Sequence, residues 1–593
     1  MVVLHQYDYL FAIGTIFAFG DAWGIGANDV ANSWATSVSA RSVTYFQAMC
    51  IASVMELAGT IGVGARVADT IRTKIVKVDE FADSPGVLML GMVCTVVASS
   101  SWLIFATKIG FPVSTTHTVL GGVLGMGIAA VGANGISWVG KGTGTELINS
   151  GVVSVFMAWI IAPCLSGIFS AILFTVTKYL VHLRKDPVKW AFFLIPFYFG
   201  MTASLLTTLL LTKGGTIKSN LSDAGTSGVI VGVGVGVALL VAIFWLPWLW
   251  RVVVKGDWQL NYFHVLQGPL LLKRGEVPPP PDNHVGIINY YEGHLTQEEL
   301  DAKRAAQGGG STGDDLEIAP VTETNASGET KTDGEKTETA VDEAPKPAAA
   351  PRNPNPVRKP LVGPKPVGSN FSPKVIFWWF KWLLFRGVDL DIVAMQKGKQ
   401  DFLAGDLEQA HAGAKHYDNN VEHMYSYLQV MTAATASFTH GANDAANAVG
   451  PYATVYQIWA SGVVPSQGAD IPLWILGFLG AAIVIGLWTY GYKIMTNLGN
   501  RITLISPSRG FSMELGSAIT IIMATRFGLP ISTTQCITGG TVGVGLCNGD
   551  WRTINWRMVA WIYFGWFVTV PVAGILSGCL MGIILNAPRW GLP

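Results

Sequence analysis

Gly26-Ala27-Asn28-Asp29-Val30-Ala31-Asn32 decides how this chain is read, because it returns as Gly441-Ala442-Asn443-Asp444-Ala445-Ala446-Asn447. Both copies lie inside long apolar stretches. Burying a carboxylate in a bilayer costs on the order of a few kcal/mol unless it finds partners, so an intramembrane acid marks a functional site by default. A polar motif set at depth in each half predicts one central site made from two related pieces, as in secondary transporters.

Composition agrees. Of the 593 residues 50% are hydrophobic and 13% charged, against roughly 25% charged in soluble domains, and the mean hydropathy is +0.41. The expected fold class is an all-α polytopic membrane protein of about twelve transmembrane segments. Apolar runs long enough to span fall at 9–40, 44–65, 86–108, 112–132, 149–182, 189–211 and 226–249, then at 426–455, 472–496, 511–527, 530–548 and 556–586. A formal net charge of zero gives no footprint for nucleic acid. The six cysteines form no CxxC or metal-ligand spacing and read as packing residues. With no GxxxxGK[ST] loop, HExxH helix or hydrolase triad, the chain reads as neither ATPase nor enzyme. No enzymatic cofactor is expected. The first apolar run contains Asp21 and flows into the motif, which argues against a cleavable signal.

A second motif repeats in step with the first. Pro112-Val113-Ser114-Thr115-Thr116-His117 returns as Pro530-Ile531-Ser532-Thr533-Thr534-Gln535, an offset of 418 against 415 for the Asn-Asp motif. Two collinear matches at nearly one offset indicate duplication. Seven spans precede the second copy, and an odd number turns the second repeat over, predicting two inverted repeats with broken helices and re-entrant hairpins. The expected organisation is a membrane part at 1–250, a large cytoplasmic loop at 251–425, and a second membrane part at 426–593. Within the loop, the Pro-rich and Gly/Ser/Thr/Glu-rich stretch of about 275–370 reads as mostly disordered. Residues 375–382, rich in Phe and Trp, suit an interface helix or the core of a small subdomain. Lys178, Arg184, Arg251, Lys493, Arg501 and Arg509 share one side when the termini are extracellular and the loop cytoplasmic. The basic residues between 66 and 77 are the exception.

The motifs offer specific chemistry. Asp29 and Asp444 are hard oxygen ligands for a cation such as Na⁺, and Asn28, Asn32, Asn443 and Asn447 can donate and accept. Gly20, Gly24, Gly26 and Gly441 predict breaks whose free backbone groups bind ions. The alternative is that these amides merely cap or glue helices. Ser114-Thr115-Thr116 and Ser532-Thr533-Thr534 each start a helix, where hydroxyls and free N–H groups cup an oxyanion. Glu56 and Glu514, each in a Met-Glu-Leu triplet, are further intramembrane acids, but they are not equivalent under the repeat. His440 and His117, matched by Ile25 and Gln535, could titrate or simply pack.

Taken together, GANDxAN twice, PxSTT twice, the Met-Glu-Leu-Ala-Gly around Glu56 and the long central loop resemble the inorganic phosphate transporter (PiT) family. Within it the pattern is most similar to fungal phosphate-repressible sodium–phosphate symporters. The resemblance implies a homodimeric plasma-membrane symporter, induced by phosphate starvation, that imports inorganic phosphate with Na⁺ by alternating access. It implies a phosphate site of Asn28, Asp29, Ser114, Thr115, Thr116, Asn443, Asp444, Ser532, Thr533 and Thr534. It implies Na⁺ ligands among Asp29, Asn32, Glu56, Asp444, Asn447 and Glu514. Gln535 departs from the family's histidine, which weakens a proton relay there. Competing readings remain a proton-coupled carrier, a carrier of sulfate or arsenate, and a membrane phosphate sensor.

Overall fold

The computed structural model describes residues 4–73, 76–140, 151–213, 221–281, 284, 286–308, 360–385, 387–398, 401–466, 468–527, 529 and 531–587. Among these residues all regular elements are helical, apart from one bridge between Val76 and Ile136. The first half supplies α1 (Asp8–Ser39), α2 (Tyr45–Thr73), α3 (Pro85–Ile109), α4 (Thr115–Val131) and α5 (Gly151–Thr177), then α6 (Pro187–Lys213), α7 (Asp223–Leu240) and α8 (Leu246–Val253). The loop region holds α9 (Gln297–Gly308), α10 (Pro373–Phe385), α11 (Ile392–Gly398) and α12 (Leu407–Ala412). The second half supplies α13 (Asn419–Asn443), α14 (Ala445–Ser461), α15 (Leu473–Met495), α16 (Pro507–Phe527), α17 (Thr533–Leu546) and α18 (Trp556–Asn586).

The two halves pack reciprocally. The first-motif helix α1 lies on α15, and the second-motif helix α13 lies on α2; likewise α4 lies on α18 and α17 on α5. Glycine makes each of these approaches possible. A Cβ on Gly26 would fall 2.0 Å from Ile483 O, and one on Gly441 would fall 2.2 Å from Glu56 O. The motif glycines therefore serve close helix contact, and the expected break at Gly20, Gly24 and Gly26 is not made: α1 runs unbroken through Asn28–Asn32. In the second copy the helix is interrupted at Asp444, where α13 ends and α14 begins.

Eight helical stretches among the described residues are long and apolar enough to cross a membrane. The other four expected spans fall on α4, α13 with α14, α16 and α17. Helices α4 and α17 have 17 and 14 residues, roughly 26 and 21 Å at about 1.5 Å per residue, short of a hydrocarbon core of about 30 Å. Helices α13 and α16 bury Glu422, Gln429, Arg509 and Glu514, which lowers their hydropathy.

Part of the loop region forms helices among the described residues. Within the stretch expected to be mostly disordered, Thr296 and Glu299 form a capping box that starts α9. Lys303–Glu408 and Arg304–Asp406 pairs, each 2.9 Å, then dock α9 on the α12 segment. Residues 309–359, and Pro530 of the second hydroxyl motif, lie outside the described residues. Helix α10 buries Val375 and leaves Ile376, Phe377, Phe380 and Leu383 exposed, the pattern of an interfacial helix. Arg501 and Arg509, read from sequence as loop charges, are buried: Arg501 pairs with Asp401, and Arg509 donates to Lys415 O at 2.7 Å.

Candidate functional site

The two Asn-Asp motifs and the two hydroxyl motifs converge in a buried polar cluster. Within it the asparagines divide their work. Asn28 Nδ2 donates to Thr107 Oγ1 and Phe111 O, both at 3.1 Å, and Asn28 Oδ1 accepts from Val113 N at 3.1 Å. Its amide thus holds the extended segment before α4 in place. Asn443 repeats this with Ile531 O at 3.5 Å. Asn32 and Asn447 instead reach across the halves. Asn32 Nδ2 donates to Thr534 Oγ1 at 2.9 Å and Thr533 Oγ1 at 3.3 Å, and Asn447 Nδ2 donates to Thr115 and Thr116 Oγ1, both at 3.2 Å.

The carboxylates sit between these arms. Asp29 Oδ2 accepts from Thr115 Oγ1 at 2.8 Å, and Oδ1 accepts from Thr534 Oγ1 of the other half at 3.4 Å. Asp444 Oδ1 accepts from Thr116 Oγ1 and Asn447 Nδ2 at 3.3 Å, while its Oδ2 is buried without a hydrogen-bond partner among the described residues. Ser114 caps α4 by accepting from His117 N at 3.3 Å, whereas Ser532 holds the matching position on α17 without a side-chain cap bond.

His440 joins a third acid to the cluster. Its Nδ1 lies 2.8 Å from Glu56 Oε2, and its Nε2 lies 3.5 Å from Asp444 Oδ2 and 3.9 Å from Asp29 Oδ2. Ser437 Oγ donates to Glu56 Oε1 at 2.8 Å and accepts from Trp34 Nε1 at 3.2 Å. The ligand atoms of Asp29, His440 and Asp444 lie within 4.8 Å of one another, close enough to share one ion. The two carboxylates of that set are hard oxygen ligands for a cation, and the surrounding hydroxyls and amides can donate to an oxyanion. The sequence offered His440 as a titrating or packing residue. What it could not show is that α13 turns this ring towards three acids.

Glu514 stands apart. Its Oε1 accepts from Thr36, Ser37 and Gln429 at 2.6, 2.7 and 3.2 Å, and its Oε2 from Thr432 at 2.6 Å. Thr36 lies two turns beyond Asp29 on α1, roughly 10 Å along the helix axis. Glu56 on α2 and Glu514 on α16 thus occupy unlike elements of the two halves, in keeping with their unequal offset. Gln535 is buried with neither amide atom partnered among the described residues, and His117 packs on Trp159 with ring centroids 5.1 Å apart.

Comparison with known proteins follows the same lines. A family model described as Phosphate transporter family matches residues 25–577. The chain is 61% identical over 601 residues to the phosphate-repressible phosphate permease pho-4 of Neurospora crassa, with 100% of both chains covered. It is 28% identical to sodium-dependent phosphate transporter 2 of Xenopus tropicalis, covering 98% of this chain and 99% of that one. Among solved structures, one titled "The sodium-dependent phosphate transporter" superimposes with a TM-score of 0.61 at 24% identity, covering 98% of this chain and 100% of that one.

Proposed function

Since this chain belongs to the phosphate transporter family, we propose that it is a symporter importing inorganic phosphate with Na⁺ across the plasma membrane, without covalent chemistry. The observation that carries this is the cross-half cluster, in which Asp29 is held by Thr115 and Thr534 and Asp444 by Thr116, with Thr533 bonded to Asn32. Phosphate is an anion, and two carboxylates repel it. Na⁺ bound at Asp29 and Asp444 removes that repulsion, and the threonine hydroxyls and Asn32 and Asn447 then supply donors to phosphate oxygens. Coupling follows, because the anion site is incomplete without the cation. Relatives named as sodium-dependent phosphate transporters support this choice of ion.

The cross-half bonds also suit alternating access. If the halves are inverted repeats, a rocking motion makes and breaks the Asn32 and Asn447 contacts on opposite faces of one fixed site. Glu514, saturated with donors, we assign to holding α1 against α13 and α16, or to a further Na⁺. The termini are placed outside and the loop inside, and the working unit is a homodimer.

Phosphate uptake into proteoliposomes, with and without an inward Na⁺ gradient, tests the proposal. Uptake indifferent to Na⁺ sinks the coupling, and normal transport by Asp29→Asn sinks the role given to that residue. One observation favours a second reading: His440 among three acids is placed to carry a proton. In that case a proton gradient alone drives uptake in the same assay. Competition separates the oxyanions, because hydrogen phosphate and hydrogen arsenate can donate a proton to a carboxylate and sulfate cannot. Deleting 309–359 tests the sensor reading, since a transporter keeps its flux.

A further inference from the structure

Asp21 is another buried acid on α1, and the cluster described above does not use it. It lies eight residues before Asp29, roughly 12 Å away along the helix axis. Its Oδ1 accepts from Ser99 Oγ of α3 at 2.6 Å, and its Oδ2 has no hydrogen-bond partner among the described residues. No cationic side chain pairs with it among those residues.

A second idle group lies beside it. Ser100, next to Ser99 on α3, is buried, and its Oγ also has no partner among the described residues. That hydroxyl faces α1 at Gly20, the neighbour of Asp21, because a Cβ on Gly20 would fall 2.7 Å from it. Two adjacent residues of α1 thus meet two adjacent serines of α3, with one carboxylate oxygen and one hydroxyl left over. Further along the same seam Asn28 donates to Thr107 Oγ1 at 3.1 Å. At about 100° per residue, Asn28 and Asn32 lie within about 20° of Asp21 around α1. Asp21 therefore shares the face that carries both asparagines into the central cluster.

Glu514 shows how hydrogen bonds alone can hold a buried carboxylate in this chain: it accepts from four donors. Asp21 accepts from one. An ionised carboxylate so placed lacks the donors or counter-charge that burial demands. Protonation removes the charge but leaves the Ser100 hydroxyl without a partner, and an unpaired buried polar group is costly. A bound cation answers both needs.

We propose that Asp21, Ser99 and Ser100 form a further Na⁺ site, on the N-terminal side of the central cluster, where an ion is held apart from Asp29 and Asp444. A carboxylate and two hydroxyls are hard oxygen ligands. One buried carboxylate balances one positive charge, which favours a monovalent ion over a divalent one. Acids then stand at three levels along α1: Asp21, the Asp29 level, and Glu514 at Thr36. With the termini outside, Asp21 is the outermost of the three. The inference rests on the Na⁺ coupling proposed above.

The test is binding of radioactive sodium to the purified full-length protein without phosphate, read by scintillation proximity. The parent is Asp29→Asn, which removes a ligand of the central site and is expected to retain a saturable Na⁺ component. Adding Asp21→Asn, which keeps an acceptor for Ser99, should weaken that component about tenfold or more, the order of one charged contact. Adding Ser100→Ala instead should weaken it about threefold, the order of one neutral contact, with an unchanged melting temperature. Ser100→Ala alone decides if the Asp21 variant is not monodisperse. No retained component, or one equal in all three proteins, overturns the proposal. So does a shifted pH profile of uptake in Asp21→Asn with Na⁺ binding unchanged, because the acid then carries a proton. Uptake indifferent to Na⁺ sinks only the coupling and leaves this binding result standing.

Discussion

Asn32 of the first half donates its side-chain amide to Thr534 Oγ1 of the second at 2.9 Å, across 502 positions of the chain. Asn447 returns the contact to Thr115 and Thr116. The bonds exchanged between the halves therefore run through the same residues that surround the two aspartates.

Thr534→Val keeps the shape of the side chain and removes one of these acceptors. A buried amide left short of a partner costs about 1–3 kcal/mol. Phosphate uptake at saturating Na⁺ should fall roughly tenfold or more at that cost, with the protein still monodisperse in detergent. Thr116→Val should act alike through Asn447 and Asp444. Wild-type flux in both variants removes the cross-half contacts from the mechanism.

Gly441→Ala should abolish a folded product, because the new methyl lands 2.2 Å from Glu56 O and no side-chain rotation relieves a backbone clash. Gly26→Ala should behave the same way against Ile483 O. Gly228→Ala on α7 meets nothing within 4 Å and should be neutral or slightly stabilising, since alanine is the better helix former by about 1 kcal/mol. Melting temperatures of the three proteins check the contrast.

Glu514→Ala strands the donors of Thr36, Ser37 and Gln429, while Thr432 Oγ1 keeps Gln429 O as an acceptor. Each buried donor left without an acceptor costs about 1–3 kcal/mol. Glu514→Gln keeps an acceptor for the Oε1 donors and asks only the Thr432 hydroxyl to turn, so it should melt nearer the wild type. Equal melting of Ala and Gln variants contradicts the bonded role.

Acid should loosen the loop region. Burial pushes the His411 imidazole down to about 4, against about 6.5 for the unfolded residue. Between those values the unfolded chain binds the extra proton, so stability rises with pH and is lost as pH falls from about 6.5 to 4. Amide exchange in α12 should quicken over that window. His411→Gln, which can still donate to Asn500 O, should flatten the response.

The membrane class and the four converging motifs were legible in the sequence, because period, composition and exact repetition are local properties. Asp29, Asp444 and the threonine pairs could be named from their isolation among apolar neighbours. Other features were not legible. The motif glycines read as helix breaks, since a lone glycine shows its conformational freedom and not the carbonyl of Ile483 pressed against it. Four expected spans fall outside the eight described helices that length and composition alone qualify, because two are short and two carry buried polar residues. Helix α9, which starts at the capping box of Thr296 and Glu299, lies inside a stretch whose composition pointed to disorder.

What the sequence determined by itself is that two acids are buried in apolar surroundings and must find partners. What the tertiary structure alone decided is which partners those are. Asn28 bonds within its own half, Asn32 crosses to the other, and His440 comes to lie among Asp29, Glu56 and Asp444. The physical reason is direction: each side chain's aim is set by helix rotation and close glycine contacts hundreds of residues away, which no local pattern encodes.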